Sequence, residues 1–188
     1  MTFSDTFTSL EFRFSLGNET STNRRYLSIP VSNGLVDYEE HYAIEDAHFD
    51  AWMLEPSAAL PMVIRCRRRQ MDHALMIAPG ANRGASGERG FSVAEIATIM
   101  ERIAALLRDG HCPSWADGIE AQRARLSHSS DEVRRNILGM YGGMGSICDL
   151  VLYSDGVLLR QATDELHELL GWLHEWGSSR CRSGLAPR

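Results

Sequence analysis

The hydrophobic period changes along this chain, and that change restricts the fold more than any other feature. Leu10, Phe12, Phe14 and Leu16 alternate with Glu11, Arg13 and Ser15, which puts four apolar side chains on one strand face ahead of a turn at Gly17-Asn18. Tyr26 to Val31 reads as a second strand, and after Asn33-Gly34 the side chains of Tyr38, Glu40, Tyr42 and Ile44 share one face of a third. From Val93 the period becomes helical. Ile96, Ile99, Met100, Ile103, Leu106 and Leu107 follow the capping box Ser92-x-x-Glu95 until Gly110 stops the run. Strands gathered early and helices gathered late predict an α+β fold, not an alternating α/β one.

Within that plan, Asp46 caps a short helix through Glu55 that carries Phe49, Trp52 and Met53, and Pro56-Ser57 starts another with Pro61 in its first turn. The second helix ends at Arg65-Cys-Arg-Arg-Arg69, where positive charge complements the helix dipole and reads as a solvated cluster. Ala74 to Ala78 is a short buried strand ended by Pro79-Gly80, and Gly80 to Gly90 is a glycine-rich loop or linker. Further on, Ser114 and Ser129 cap helices, and Ser154-Asp155-Gly156 turns a hairpin. Thr163 caps a last helix that buries Leu166, Leu169, Leu170, Leu173 and Trp176, and the chain from Gly177 reads as a disordered tail. The expected organisation is an N-terminal lobe (1–90) of short antiparallel strands with two helices, a mainly helical lobe with one hairpin (91–177), and a flexible tail (178–188).

Composition removes whole classes of chemistry. All 19 basic residues are arginine, so a Walker A loop, a kinase nucleotide lysine, a pyridoxal Schiff base and a lysine-imine aldolase all lack their amine. A net charge of −6 repels polyanions, and direct nucleic-acid binding is not expected. The cysteines Cys66, Cys112, Cys148 and Cys181 form no Cys-x-x-Cys pair, so no zinc site is expected. Met1 to Ser9 lacks a basic and apolar leader pattern, and no apolar run reaches membrane-spanning length. The expectation is a cytoplasmic protein with reduced thiols, no membrane segment, no metal and no cofactor.

Short motifs give little support to catalysis. His167-Glu168 and His174-Glu175 start like a zincin, but Gly171 and Ser178 stand where the second histidine belongs. Ser86 is out of register with a nucleophile elbow. Cys148 beside Asp149 lacks a placeable histidine, and carboxylate pairs such as Glu39-Glu40 and Asp131-Glu132 are common in any acidic chain.

Two segments depart from ordinary packing. Tyr141-Gly142-Gly143-Met144-Gly145-Ser146 places three glycines in four positions, a backbone need that side-chain packing does not explain. Between Arg25 and Arg65 there is no arginine, while Asp37, Glu39, Glu40, Glu45, Asp46, Asp50 and Glu55 interleave with Tyr38, Tyr42, Phe49 and Trp52. Such a stretch is either a solvated face or a docking surface on which acids steer a basic partner and aromatics anchor it.

The run Ile137 to Tyr153, with its Tyr-Gly-Gly-Met-Gly-Ser turn and Asp149-Leu150-Val151, resembles a bacterial family of uncharacterised domains; Leu106-Leu107, Gly110 and Trp115-Ala116 fit the earlier part of that pattern. The family usually has asparagine where Cys148 stands, and the resemblance covers roughly residues 93–176. Asp37 to Tyr42, Arg65 to Arg69 and Pro79-Gly80 look like segments of small bacterial proteins encoded beside secreted toxins as candidate immunity proteins. The resemblance implies a cognate secreted toxin as partner, delivered for example by type VI secretion, and no enzyme activity. The expected contact residues are Asp37, Glu39, Glu40, Glu45, Asp46, Asp50 and Trp52, with Tyr141, Gly142, Gly143, Met144, Gly145 and Ser146 as a second surface. Two other readings stay open: a small-ligand protein or enzyme using the 142–146 amides as an anion cradle near Cys148 or Asp149, and a structural adaptor.

Overall fold

Leu16, Leu27 and Tyr42 stand side by side across three strands in the computed structural model, all fully buried. They mark the inner face of an antiparallel meander made of β1 (Phe3–Ser9), β2 (Phe14–Glu19), β3 (Arg25–Ser32) and β4 (Asp37–Ala43), in that spatial order. Against β3 lie α1 (Asp46–Leu54) and α2 (Leu60–Arg67), which add Phe49, Trp52, Leu60, Val63 and Ile64 to the buried set. The fold is α+β as the change of period predicts. The structure describes residues 1–80, 82–86 and 90–179, and the chain divides into two compact units, Met1–Arg89 and Gly90–Arg188.

The first hairpin is displaced from its expected place. Residues 10–13 form the connection between β1 and β2, with Arg13 at φ 49° and Leu10 exposed, so Leu10 and Phe12 are not strand residues. Polar β1 was hidden because six of its seven residues face solvent in whole or part. Gly17-Asn18, expected as a turn, lies inside β2. Gly17 is needed there because a Cβ would come 2.2 Å from the Ser4 carbonyl oxygen and 2.4 Å from the Tyr26 hydroxyl. The true turn is held by Glu19, whose carboxylate accepts from the amides and hydroxyls of Ser21 and Thr22. Those hydrogen bonds lower its pKa to about 2.

Two later stretches also depart from expectation. Ala74 to Ala78 is not a buried strand. Asp72–Ala74 is a 3-10 turn, Leu75 makes a single bridge to Tyr42, Met76 donates its amide to His41 at 2.9 Å, and Ile77 is exposed. The Arg65–Arg69 end of α2 is not only solvated: Arg67 Nη2 donates to the Phe12 carbonyl at 2.7 Å and Arg69 Nη2 to the Gly84 carbonyl at 3.1 Å.

In the second unit, α3 (Val93–Asp109) starts at the expected capping box, with both reciprocal hydrogen bonds formed. Its buried face packs on α4 (Pro113–Arg125) and α6 (Arg160–Ser178), and α5 (Ser130–Gly139) packs on α4 and α6. The helix caps differ from those expected. Cys112 is the N-cap of α4, Ser129 caps α5 without a side-chain hydrogen bond, and α6 begins before Thr163. The Thr163 hydroxyl instead accepts from the buried Leu152 amide at 3.1 Å. Between α5 and α6, β5 (Tyr153–Ser154) and β6 (Val157–Leu158) form a minimal hairpin. Its turn residues Asp155 and Gly156 both have positive φ, 50° and 77°, as a two-residue hairpin loop requires.

The end of α6 is ordered beyond the expected boundary. Gly177 is buried, with Leu138 so close that a Cβ would lie 3.1 Å from its Cδ2, and the helix runs through Ser178. Arg134 donates to the Trp176 carbonyl and to Ser179 while its guanidinium lies over the Trp176 ring, which satisfies the C-terminal carbonyl and opposes the dipole. The remainder of the expected tail, 180–188, lies outside the described residues.

Candidate functional site

β4 splits the acidic run. Its seven residues place Asp37 roughly 20 Å from the start of the connection into α1, so the acids form two groups. Alternation then separates neighbours: Glu39 is exposed and accepts from the Ser28 hydroxyl at 2.9 Å, whereas Glu40 on the opposite face is 7% exposed. Glu45, Asp46 and Asp50 are exposed along α1, with Arg25 3.4 Å from Asp46 and stacked over the Phe49 ring. Trp52 is buried at 8% exposure, its ring stacked with His48. Glu40 and Trp52 are therefore removed as contact residues, while Asp37, Glu39, Glu45, Asp46 and Asp50 remain open to a partner.

Glu40 belongs to a buried ionic cluster that the sequence hides. Arg83, 10% exposed, donates Nε to Glu40 Oε1 at 2.6 Å and Nη2 to Oε2 at 2.7 Å, and also binds Asp72 through both terminal nitrogens. The Tyr42 hydroxyl donates to Glu40 Oε2 at 2.7 Å. Burial raises the Glu40 pKa, but the hydrogen bonds from Arg83 and Tyr42 and the Arg83 charge outweigh it, and the carboxyl titrates below its ordinary range. Beside them burial pushes the Cys66 thiol up to about 12, so it is an unreactive core group. Gly84 and Ala85 follow Arg83 back to the sheet. Ala85 exchanges two backbone hydrogen bonds of 2.9 Å with Ser32, and the Gly84 amide donates to the Tyr38 hydroxyl. The segment expected as a linker is thus, over residues 82–86, a strap on the first unit.

The glycine turn is self-contained. Gly143 and Gly145 have positive φ, 89° and 77°, and Met144 is wholly exposed. The amides of Gly145 and Ser146 donate to Asp149 Oδ2 at 3.0 and 3.1 Å. A nest that would cradle phosphate thus already holds a carboxylate of this chain. Tyr141 is half-buried, donates its hydroxyl to the Leu170 carbonyl at 2.7 Å and leans on His174, while Ser146 is buried. Gly142 to Gly145 are therefore the open part of that surface. Burial and the neighbouring Asp149 charge raise the exposed Cys148 thiol above its ordinary pKa, against a smaller effect of Ser146, the reverse of an activated nucleophile. His167 is engaged with the Leu150 carbonyl at 2.9 Å.

Among the described residues no cluster of three or more histidine, cysteine, aspartate or glutamate side chains is arranged to hold a metal ion. No helix among them is long and apolar enough to cross a membrane. A family model described as a domain of unknown function (DUF6966) matches residues 107–160, the span from the end of α3 through the glycine turn and hairpin. No curated protein and no solved structure matches the chain.

Proposed function

We propose that this chain is a non-catalytic, stoichiometric binding protein for a basic protein partner, and specifically an immunity protein that neutralises a secreted bacterial toxin by covering its active site or substrate groove. The observation that supports this reading is the exposed acidic side of α1. Asp46 and Asp50 stand one turn apart with Glu45 beside them, and the helix has no basic residue in its last turn. Asp46 gains from the helix dipole, but Asp50 does not, and like charges at this spacing cost a helix a few tenths of a kcal/mol. A small sacrifice of stability that keeps Glu45 and Asp50 exposed, with Asp46 shared between Arg25 and solvent, fits electrostatic steering of a positively charged partner. A toxin that acts on nucleic acid presents such a charge, because it must hold a phosphate backbone.

The test is recovery of a partner on the tagged full chain from the cells that encode it, followed by light scattering of the purified complex. The reading expects one basic, secreted protein in one-to-one complex, with loss of that protein's toxicity. A chain that recovers no such protein contradicts it.

A further inference from the structure

Leu35 and Val36 at the tip of the β3–β4 hairpin are 93% and 60% exposed, and the turn that carries them is held from several sides. Asn33 Oδ1 accepts from the Leu35 and Val36 amides at 3.0 and 2.9 Å, the Ser32 hydroxyl accepts from the Gly34 amide, and Gly34 supplies the φ of 86°. The stem below is tied to Ala85 by the paired backbone bonds of Ser32, and beside it an open hollow of about 410 Å³ lies between the turn and residues 82–85. Two large aliphatic side chains in water gain nothing for the folded state. Holding them in one geometry reduces the ordering cost of inserting them elsewhere.

From this we infer that the 33–36 turn is a preformed apolar plug that enters a hydrophobic pocket with a basic rim on the partner protein. The inference rests on the binding-protein reading and adds the anchor to it. Charge decides the occupant. Asp37 and Glu39 flank the tip and are exposed, while beside it Arg83 and Arg69 offset Glu40 and Asp72, so the negative charge at the tip is that of the two flanking acids. A second copy of this chain would bring these acids against their own kind, and a two-residue tip is far below the roughly 1,600 Å² of a stable interface. A basic rim removes the repulsion, and the acidic side of α1 supplies further attraction as a separate contact.

The experiment places the photo-crosslinking residue benzoylphenylalanine at position 35, and in a second full-length chain at the exposed Ala47 of α1, each expressed in the cells that encode the protein. The expected result is a covalent adduct to the same basic protein from both positions. That protein, once purified, should bind the Leu35→Ala chain about ten- to a hundredfold more weakly than wild type, while Leu35→Met stays close to wild type. The thermal midpoint of the free Leu35→Ala chain should not move, since the side chain is exposed. An adduct from position 47 with none from 35, or unchanged affinity of Leu35→Ala, overturns the plug and leaves the acidic-face reading standing. A homodimer adduct at 35 overturns it in favour of self-association, and no adduct at either position overturns both.

Discussion

Replacing Arg83 with methionine leaves the Glu40 carboxylate in the interior with the Tyr42 hydroxyl as its one hydrogen-bond donor among the described residues. Glu40 is 7% exposed and Arg83 10%, and the open hollow reaches Arg83 but not Glu40, so water replaces the lost guanidinium only in part. Removing one member of a buried ion pair costs about 3–5 kcal/mol. The Asp72 half of the cluster adds little, because Asp72 is 45% exposed and such pairs contribute about 0–1 kcal/mol. The total is a large part of the roughly 5–15 kcal/mol that holds a domain folded. Hydrogen exchange of the β3 and β4 amides in the full chain, followed as urea is raised, should show this loss for Arg83→Met in the unit that holds the pair. Arg83→Lys should recover part of it, because one ammonium cannot reproduce the two-pronged contact. The distinguishing result is the double variant Glu40→Leu/Arg83→Met, which removes both charges and should be more stable than Arg83→Met alone. A loss below about 1 kcal/mol for Arg83→Met, or a double variant less stable than the single, would refute the claim that residues 82–86 are clamped by this pair.

Three further outcomes follow from the geometry. Gly17→Ala forces a methyl group against the Ser4 carbonyl and the Tyr26 ring and should cost about 1–3 kcal/mol; a chain that melts at the wild-type temperature would show that the sheet yields there. Acid should weaken the first unit: Glu19, Glu40 and Asp72 have folded pKa values below their unfolded ones, so their stabilisation is present above the unfolded carboxyl range and is lost as pH falls through the folded values. His41, held below its ordinary pKa chiefly by burial, begins to act in the same direction below about pH 6.5. Thermal midpoints from pH 7 downward check this, and Glu19→Gln should flatten the fall most at the acid end. Asp149→Ala should speed hydrogen exchange at the Gly145 and Ser146 amides about tenfold or more, whereas unchanged exchange would mean that the carboxylate does not organise the turn.

Legibility followed burial. β3, β4, α3 and the inward side of α6 were readable because their apolar residues keep one period and one face is covered. β1 was not, because Phe3 and Phe7 are its only large apolar residues and its order comes from pairing with β2 and from the Tyr26–Asp5 bond. The Leu10–Leu16 alternation misled because a hairpin turn interrupts it, and nothing local says that Arg13 adopts a positive φ. Arg83 was invisible for another reason: its partners are 43 and 11 residues away, and a glycine-rich neighbourhood looks like a linker. In the acidic run the sequence shows that Glu40 shares a strand face with Tyr38 and Tyr42, but not that this face is the buried one. Alternation along β4 turns Glu40 inward beside exposed Glu39, and a helical face buries Trp52 while Asp46 and Asp50 stay outside. The glycine turn is legible as a backbone need, since three glycines in four positions serve no packing, whereas the role of Asp149 in accepting from the Gly145 and Ser146 amides emerges only from the fold.

The binding account is tested most directly by the association rate of the recovered partner with wild-type chain and with Asp46→Arg/Asp50→Arg, measured by stopped flow at low and high salt. Glu40 is left intact, since reversing it would break the buried pair with Arg83. The account predicts association slowed about tenfold or more at low salt, a gap that closes as salt rises, and dissociation nearly unchanged. Equal association rates for the two chains at low salt would contradict the claim that the acidic side of α1 meets the partner.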